Sequence, residues 1–434
     1  MKISELIKAT SAKVIRNIEK DLDVRISTDT RTIKNGDFYL PLKGASFDGE
    51  NFIEQALEKG AVGAFCTSAN TSIAEKENIV LLQVPDTLIA YLQLANYRRK
   101  KLNPTIIAIT GSSGKTTTKE IVASALDGKY RVFKTPLNYN NEVGLCQTIF
   151  ATPDDTEVLV IEMGMRGLGE IELLSKYAEP DITIISNVGT AHIGRLGSRE
   201  NIAKAKCEIV KYQRGNIFIA HNDELIKKTV IFEGKKHFYS IKDVEILKKE
   251  AQYSKFKYNN NLYELNVGGD YNIENALAAI ITGESLGLTP EEISNGLKNY
   301  KPIEKRWEAI NAGGYEIIND SYNANPESMR AFINTVFDLY QNFTIILGDM
   351  GELGENEVQY HIELGKYIHN KNLKADVLTL GNLSKNISEN CNGKHFNDIQ
   401  TLVDYIKLNT PKTNKIFLKA SRSMKFENII SLLG

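Results

Sequence analysis

Cysteine is scarce in this chain. Cys66, Cys146, Cys207 and Cys391 stand far apart with no C-x-x-C pair, which excludes a dense disulfide framework and a cysteine-built zinc site. An excess of either charge is also missing: 53 basic residues face 54 acidic ones, so no global field recruits nucleic acid or an anionic membrane. No apolar run is long enough to span a bilayer, and Met1 to Lys8 lacks the apolar core of a signal peptide. The expectation is a cytoplasmic protein without membrane insertion. Neither a solenoid repeat nor a low-complexity tract is present. The one basic cluster, Arg98 to Lys101, precedes Asn103-Pro104 and reads as a solvated linker. With 434 residues the chain needs more than one core.

What is present centres on Thr105 to Thr118. Ile106, Ile107, Ala108 and Ile109 read as a buried strand, too short and too β-branched for a helix. Gly111-Ser112-Ser113-Gly114-Lys115-Thr116-Thr117 follows, and then a helical pattern puts Ile121, Val122, Ala125 and Leu126 on one face. A glycine loop between a strand end and a helix start turns backbone N–H groups toward a phosphate. Lys115 adds a mobile cation, and Thr116 a hydroxyl for Mg²⁺. The loop is shorter than the common phosphate-loop pattern, whose first glycine would fall at Ile109. An ordinary βα turn is the bland alternative; Gly-Lys-Thr at a strand-to-helix junction favours a nucleotide site.

Before this loop, short strands, turns and one helix (52–59) suggest a small α+β module. Its Asp29, Arg31 and Lys43, near glycine turns, read either as ligand contacts or as ordinary turn residues. After the loop, strand and helix alternate. Val158 to Ile161 forms a strand delivering Glu162, and Ile182 to Ser186 another delivering Asn187 and His192. Ligands of open parallel sheets collect at the carboxyl ends of strands, where Lys115 also points, and a carboxylate there suits Mg²⁺. In the helical run 199–211, Lys206 sits among Ile202, Ala203, Ile209 and Val210, while Lys204 pairs with Glu208 on the outer side. An inward lysine needs an anion, a depressed pKa or a modification, unless it snorkels. Asn272 and Asn275 either cap an Ala-rich helix or read a base edge. Beyond about residue 302, strands at 316–319, 343–347, 376–380 and 415–418 predict a second open α/β sheet, with Asn325-Pro326 starting a helix.

As a set, T-G-S-S-G-K-T, N-Y-N-N-E-V-G, I-E-M-G, N-V-G-T-A-H, A-K-A-K-C-E, D-Y-N-I-E-N, R-W-E, D-S-Y-N-A-N-P and L-G-D-M-G-E-L-G closely resemble the Mur ligase family over essentially the whole chain. The resemblance implies an α/β protein of three domains. These are a small α+β module that binds a UDP-MurNAc-peptide (1–101), a central P-loop-type ATP-binding sheet (102–304) and a C-terminal Rossmann-like sheet (305–434). It also implies an ADP-forming carbon–nitrogen ligase. The last two motifs point to the branch that adds D-alanyl-D-alanine to UDP-MurNAc-tripeptide through an acyl phosphate. The family's dipeptide-extending ligase and a P-loop NTPase of other function are the alternatives.

Carried over residue by residue, the resemblance implies that Gly111, Ser112, Ser113, Gly114, Lys115, Thr116 and Thr117 hold the ATP phosphates. Asn272 and Asn275 would face adenine, and Arg306, Asp320, Tyr322 and Asn323 would reach in from the C-terminal domain. Two Mg²⁺ ions are expected on Thr116, Glu162, His192 and Lys206, with Lys206 carbamylated. Asp29, Thr30, Arg31, Lys43, Gly44, Asp48 and Gly49 would hold the UDP-sugar, and Asn138 and Asn141 the peptide. Lys115, Lys206, His192, Glu162 and Asn138 carry the chemistry in this reading. A monomer that closes about 302–306 is expected, with small-molecule substrates as its partners. The chain departs from the family pattern at Glu50, Cys146, Asp270-Tyr271 and Ala420, none of them a phosphate or metal position.

Overall fold

Runs of β-branched residues become strands where the spacing predicts. In the computed structural model, which describes residues 1–16, 20–44, 46–68, 78–371 and 375–434, Thr105–Thr110 and Val158–Glu162 are adjacent parallel strands buried on both faces. Ala45, within the Lys43–Gly49 stretch, lies outside the described residues. The chain forms two compact units, one of Met1–Pro104 with Asn141–Asp155, the other of Thr105–Asn140 with Thr156–Gly434.

The first unit carries a five-stranded sheet in the order Lys13–Arg16, Val80–Gln83, Gly63–Cys66, Phe38–Tyr39, Ile26–Ser27. Only the first pair is antiparallel. The helix Thr87–Leu102 packs against Glu142–Ala151, where Tyr91 stacks on Phe150 at 5.6 Å between ring centroids. Such a pair adds roughly 0.5–1.5 kcal/mol to the area it buries. The structure corrects the linker reading of Arg98 to Lys101. These residues form the last helical turn, Arg99 is buried, Arg98 pairs with Asp154, and Lys101 with Glu5 at 2.9 Å. The helix stops at Asn103, which takes the left-handed conformation (φ +49°) that asparagine tolerates at a C-cap, just before Pro104.

The second unit holds a six-stranded, all-parallel sheet ordered Lys235–Tyr239, Ile217–His221, Ile182–Ile185, Thr105–Thr110, Val158–Glu162, Val132–Lys134. Its topology does the positioning: the strand feeding the glycine loop lies between the strand ending at Glu162 and the strand leading to Asn187. Behind it, helix Lys115–Leu126 packs on Asp270–Ser285, whose Ala276, Ala278 and Ala279 let the two approach closely. A three-stranded antiparallel sheet spans residues 245–265. A second six-stranded sheet is ordered Glu308–Ala312, Tyr315–Asn319, Lys415–Lys419, Phe343–Gly348, Asp376–Leu380, Lys394–Phe396. Its first pair is an antiparallel hairpin and the rest are parallel. Asn325 caps helix Pro326–Leu339 through Ser328 N–H at 2.8 Å, with Pro326 at its first turn.

The 199–211 run is a helix Arg199–Cys207 followed by a single tighter turn, Glu208–Val210. Glu208 does not face Lys204. It is buried and accepts the Gly169 and Glu172 N–H groups at 2.9 and 3.3 Å, capping helix Glu170–Ala178. Satisfying orphan helix N–H groups in the interior outweighs an exposed i,i+4 pair worth a few tenths of a kcal/mol. Among the described residues no helix is long and apolar enough to cross a membrane.

Candidate active site

The glycine loop is pinned from the neighbouring strand rather than by its own sequence. Asn187 accepts Ser113 N–H on Oδ1 at 3.0 Å and donates from Nδ2 to the Ser113 carbonyl at 3.0 Å. The Ser186 hydroxyl donates to the same carbonyl at 2.6 Å, and Ser112 Oγ accepts Gly189 N–H at 2.9 Å. Gly114 has φ +78°, and a Cβ there would lie 3.0 Å from Asn275 Oδ1, so glycine is required on both counts. Replacing Asn187 by Ala removes two of these bonds. It is expected to weaken ATP binding roughly ten-fold, or ~1–2 kcal/mol, in a calorimetric titration.

Lys115, at the first helical position, lies half-buried with Nζ donating to the Gly111 carbonyl at 2.8 Å. Burial pulls its pKa below the ordinary lysine range and Arg306 adds to this, while Glu162 and Glu352 oppose it. Lys206 is 1% exposed, and among the described residues no hydrogen bond or ion pair reaches its ammonium. Burial pushes it well below the lysine range, and the charge of Lys115 pushes the same way. These two lysines therefore feel each other across the site.

Glu162 ends its strand 3% exposed. Oε1 accepts Asn140 Nδ2 at 2.9 Å, whereas Oε2 is buried with no hydrogen bond among the described residues. Thr116 is buried as a residue, and its hydroxyl carries no hydrogen bond among the described residues. An orphaned carboxylate oxygen and a free hydroxyl beside a phosphate loop are hard oxygen donors and fit Mg²⁺. Among the described residues no cluster of three or more His, Cys, Asp or Glu side chains forms a metal cage. His192 sits in the left-handed region (φ +67°), a strain of about 1–3 kcal/mol that a non-glycine residue keeps only under constraint. Its Nδ1 approaches Glu352 Oε2 at 2.7 Å in an ion-pair contact without hydrogen-bond alignment, and His192 holds the Glu352 carboxyl below its usual range.

Asn272 and Asn275 are buried and turned inward. Asn272 Nδ2 donates to the Gly268 carbonyl at 2.6 Å, and Asn275 Oδ1 lies 3.0 Å from the Thr118 hydroxyl. From the C-terminal sheet, Asp320 Oδ2 accepts Lys419 Nζ at 2.6 Å and Oδ1 accepts Trp307 N–H at 3.2 Å. The Arg306 guanidinium stacks on Tyr322 at 3.9 Å, its Nε buried without a hydrogen bond among the described residues, and Asn323 Oδ1 accepts Ala324 N–H. Lys305 and Trp307, flanking Arg306, both have positive φ (+60° and +58°).

In the first unit, Arg31 forks onto Asp29 and drops that carboxyl to about 2. Lys43 pairs with Asp48 at 3.4 Å, and Asp48 also caps the turn at Glu50 N–H. Gly49 packs under Leu42, where a Cβ would meet its carbonyl oxygen at 2.6 Å. Gly44 lies as close to the Phe47 ring, and the Thr30 carbonyl accepts Lys59 Nζ at 2.9 Å. Asn141 caps helix Glu142–Ala151, and Asn138 offers its carbonyl to Asn140 N–H. Asn140, not Asn138, touches Glu162. Asn140, Lys119, Lys419 and Glu352 escaped sequence reasoning. Asn140 lies inside the N-Y-N-N motif and Glu352 inside L-G-D-M-G-E-L-G, but neither motif says which of its residues meets the site.

A phosphate loop on one parallel sheet, with an arginine and a lysine–aspartate pair on the second sheet of the same unit, is the arrangement of a nucleotide-dependent group-transfer site. The family description "Mur ligase family, catalytic domain" matches residues 24–99, "Mur ligase middle domain" 109–283 and "Mur ligase, glutamate ligase domain" 305–422. The chain belongs to the Mur ligase family. It is 36% identical to the UDP-N-acetylmuramoyl-tripeptide–D-alanyl-D-alanine ligase of Bacillus subtilis, over 99% of this chain and 96% of that protein. To the enzyme of that name from Escherichia coli it is 30% identical, over 94% and 93%. Its fold matches a MurF crystal structure from Acinetobacter baumannii with a TM-score of 0.88 at 28% identity, covering 99% and 98% of the two chains. MurF of Thermotoga maritima in complex with ADP gives 0.84 at 27% identity, covering 94% and 96%.

Proposed function

We infer that this chain joins the amine of D-alanyl-D-alanine to the terminal carboxylate of UDP-MurNAc-tripeptide at the expense of ATP, acting as a monomer in the cytoplasm. The observation that carries the reading is the phosphate loop, with Lys115 at its helix start beside the buried Glu162, whose Oε2 accepts no hydrogen bond among the described residues. Joining a carboxylate to a triphosphate brings two anions together, and this charge must be neutralised before the γ-phosphoryl can move. The carboxylate oxygen attacks the γ-phosphorus and ADP leaves. The dipeptide amine then attacks the acyl phosphate and expels inorganic phosphate, losing a proton as the amide forms.

In this reading the 1–101 part holds the UDP-sugar through Asp29, Thr30, Arg31, Lys43, Gly44, Asp48 and Gly49. The central part (102–304) grips the phosphates with Gly111 to Thr117, and the C-terminal part (305–434) closes on the nucleotide with Arg306, Asp320, Tyr322 and Asn323. Asn138 and Asn141 attend the peptide. Thr116 and Glu162 would hold one Mg²⁺, and His192 with a carbamylated Lys206 a second; bound there, the ions would neutralise phosphate charge and keep the phosphoryl in line. Carbamylation turns an amine without a partner into a carboxylate-like ligand, and the depressed Lys206 pKa favours the neutral amine that reacts with CO₂. For Asn272 and Asn275 we assign a supporting role beneath the adenine, since both spend polar atoms inside the protein.

The test is phosphate release with ATP, Mg²⁺ and UDP-MurNAc-tripeptide, with and without D-alanyl-D-alanine. Sustained release that depends on the dipeptide is expected. A rate indifferent to it would refute the ligase reading.

A further inference from the structure

Lys119 is a buried cation beside the phosphate loop that none of these roles uses. It is 1% exposed, four positions beyond Lys115 on helix Lys115–Leu126. Its ammonium donates to the Thr135 carbonyl at 2.7 Å and lies 3.2 Å from Glu120 Oε1 and 4.0 Å from Glu162 Oε2. Thr135 holds Glu162 as well, its hydroxyl accepting the Glu162 N–H at 3.0 Å. Glu120 has a second cation in Lys134, so it does not consume the charge of Lys119 alone. Asn140 occupies Glu162 Oε1 and is itself fixed: its carbonyl accepts Gly164 N–H at 2.7 Å, and a Cβ on Gly164 would meet the Asn140 amide at 2.8 Å. One carboxylate oxygen thus has a fixed donor. The other, Oε2, has no hydrogen bond among the described residues; the Lys119 ammonium stands 4.0 Å from it, and Lys115 is near enough to interact with the same carboxylate.

We propose that Lys119 is a positioning residue for Glu162, a resident positive charge that steadies its free oxygen and makes divalent-cation uptake there conditional on nucleotide. The proposal rests on the reading of Glu162 as a metal ligand. A dication on Oε2 would share that oxygen with the Lys119 ammonium, and like charges at such range in a poorly solvated site repel strongly. A bare cation meets this repulsion with one carboxylate. A cation arriving with a triphosphate brings several negative oxygens that offset it. Lys119 therefore lowers affinity for the free ion far more than for the nucleotide complex, and it keeps the carboxylate aimed in the meantime. A salt bridge kept only for stability would have no such sign, because its removal would weaken cation binding or leave it unchanged.

The experiment uses the full-length protein with Mn²⁺ as probe, free Mn²⁺ being read by electron paramagnetic resonance with and without a non-hydrolysable ATP analogue. Wild type is expected to bind Mn²⁺ weakly alone and tightly with the analogue. Lys119→Met should bind Mn²⁺ alone about ten-fold more tightly, shrinking the nucleotide dependence, whereas Lys119→Arg should behave as wild type. Lys119→Gln, which keeps a donor for the Thr135 carbonyl, serves if the methionine variant does not fold. Adding Glu162→Gln to either should erase the gain. Mn²⁺ affinity unchanged in the folded neutral variant, or a gain that survives Glu162→Gln, overturns the proposal. Analogue-dependent Mn²⁺ binding left intact by Glu162→Gln alone overturns instead the ligand reading beneath it.

Discussion

Replacing Lys206 by alanine should abolish turnover, with a loss of roughly 10³-fold or more if the side chain carries a metal-bridging carbamate. The check is the dipeptide-dependent phosphate release, with bicarbonate or short carboxylates added to seek partial rescue. A normal rate in the alanine variant would end the metal-bridge role. Lys206→Met should meanwhile stabilise the fold. In CO₂-free buffer the native protein buries an amine that has no partner among the described residues, and an apolar side chain of similar volume removes that penalty, by ~1–3 kcal/mol. The pH dependence has a definite sign. With its folded pKa far below the ordinary value, Lys206 binds fewer protons folded than unfolded from that pKa up to about 10.4. Stability therefore rises with pH across this window, and Lys206→Met should flatten the rise in the unfolding midpoint. Loss of activity with gain of stability in one position marks a residue retained for chemistry.

The second large effect is at Lys115. Lys115→Met removes the mobile cation of the phosphate loop and should lower turnover about 10³-fold and weaken ATP-analogue binding at the same time. Because burial and Arg306 depress the pKa of Lys115 in the free protein, an arriving triphosphate restores its proton. Nucleotide binding at alkaline pH should thus take up protons, seen as a binding enthalpy that varies with the buffer's ionisation enthalpy. Lys115→Met should reduce that uptake. An unchanged proton count would show that Lys115 stays charged throughout.

Much of the scaffold was legible because it depends on local pattern. Four-residue apolar runs such as Val158 to Ile161 have few alternatives to a buried strand, and Gly-Lys-Thr marks the loop after one. The polar partnerships were not legible, since they join residues far apart in the chain. Lys419 meets Asp320 across 99 positions, and Glu352 reaches His192 across the two sheets of the second unit. No periodicity announces such pairs. Glu208 shows the same limit from the other side: its spacing from Lys204 suggested a surface pair, but two orphan N–H groups of another helix claimed it. Asn138, Asn140 and Asn141 are indistinguishable by type, and it is Asn140, packed against Gly164, that reaches Glu162.

The assignment of Asn141–Asp155 to the first unit has a practical consequence. The polypeptide passes between the units three times, after Pro104, Asn140 and Asp155, so the first unit is not a contiguous stretch of gene. A fragment ending at residue 104 would expose the helix face on which Tyr91 meets Phe150 and leave Arg98 without Asp154. To express it alone, residues 141–155 must be grafted back through a short linker.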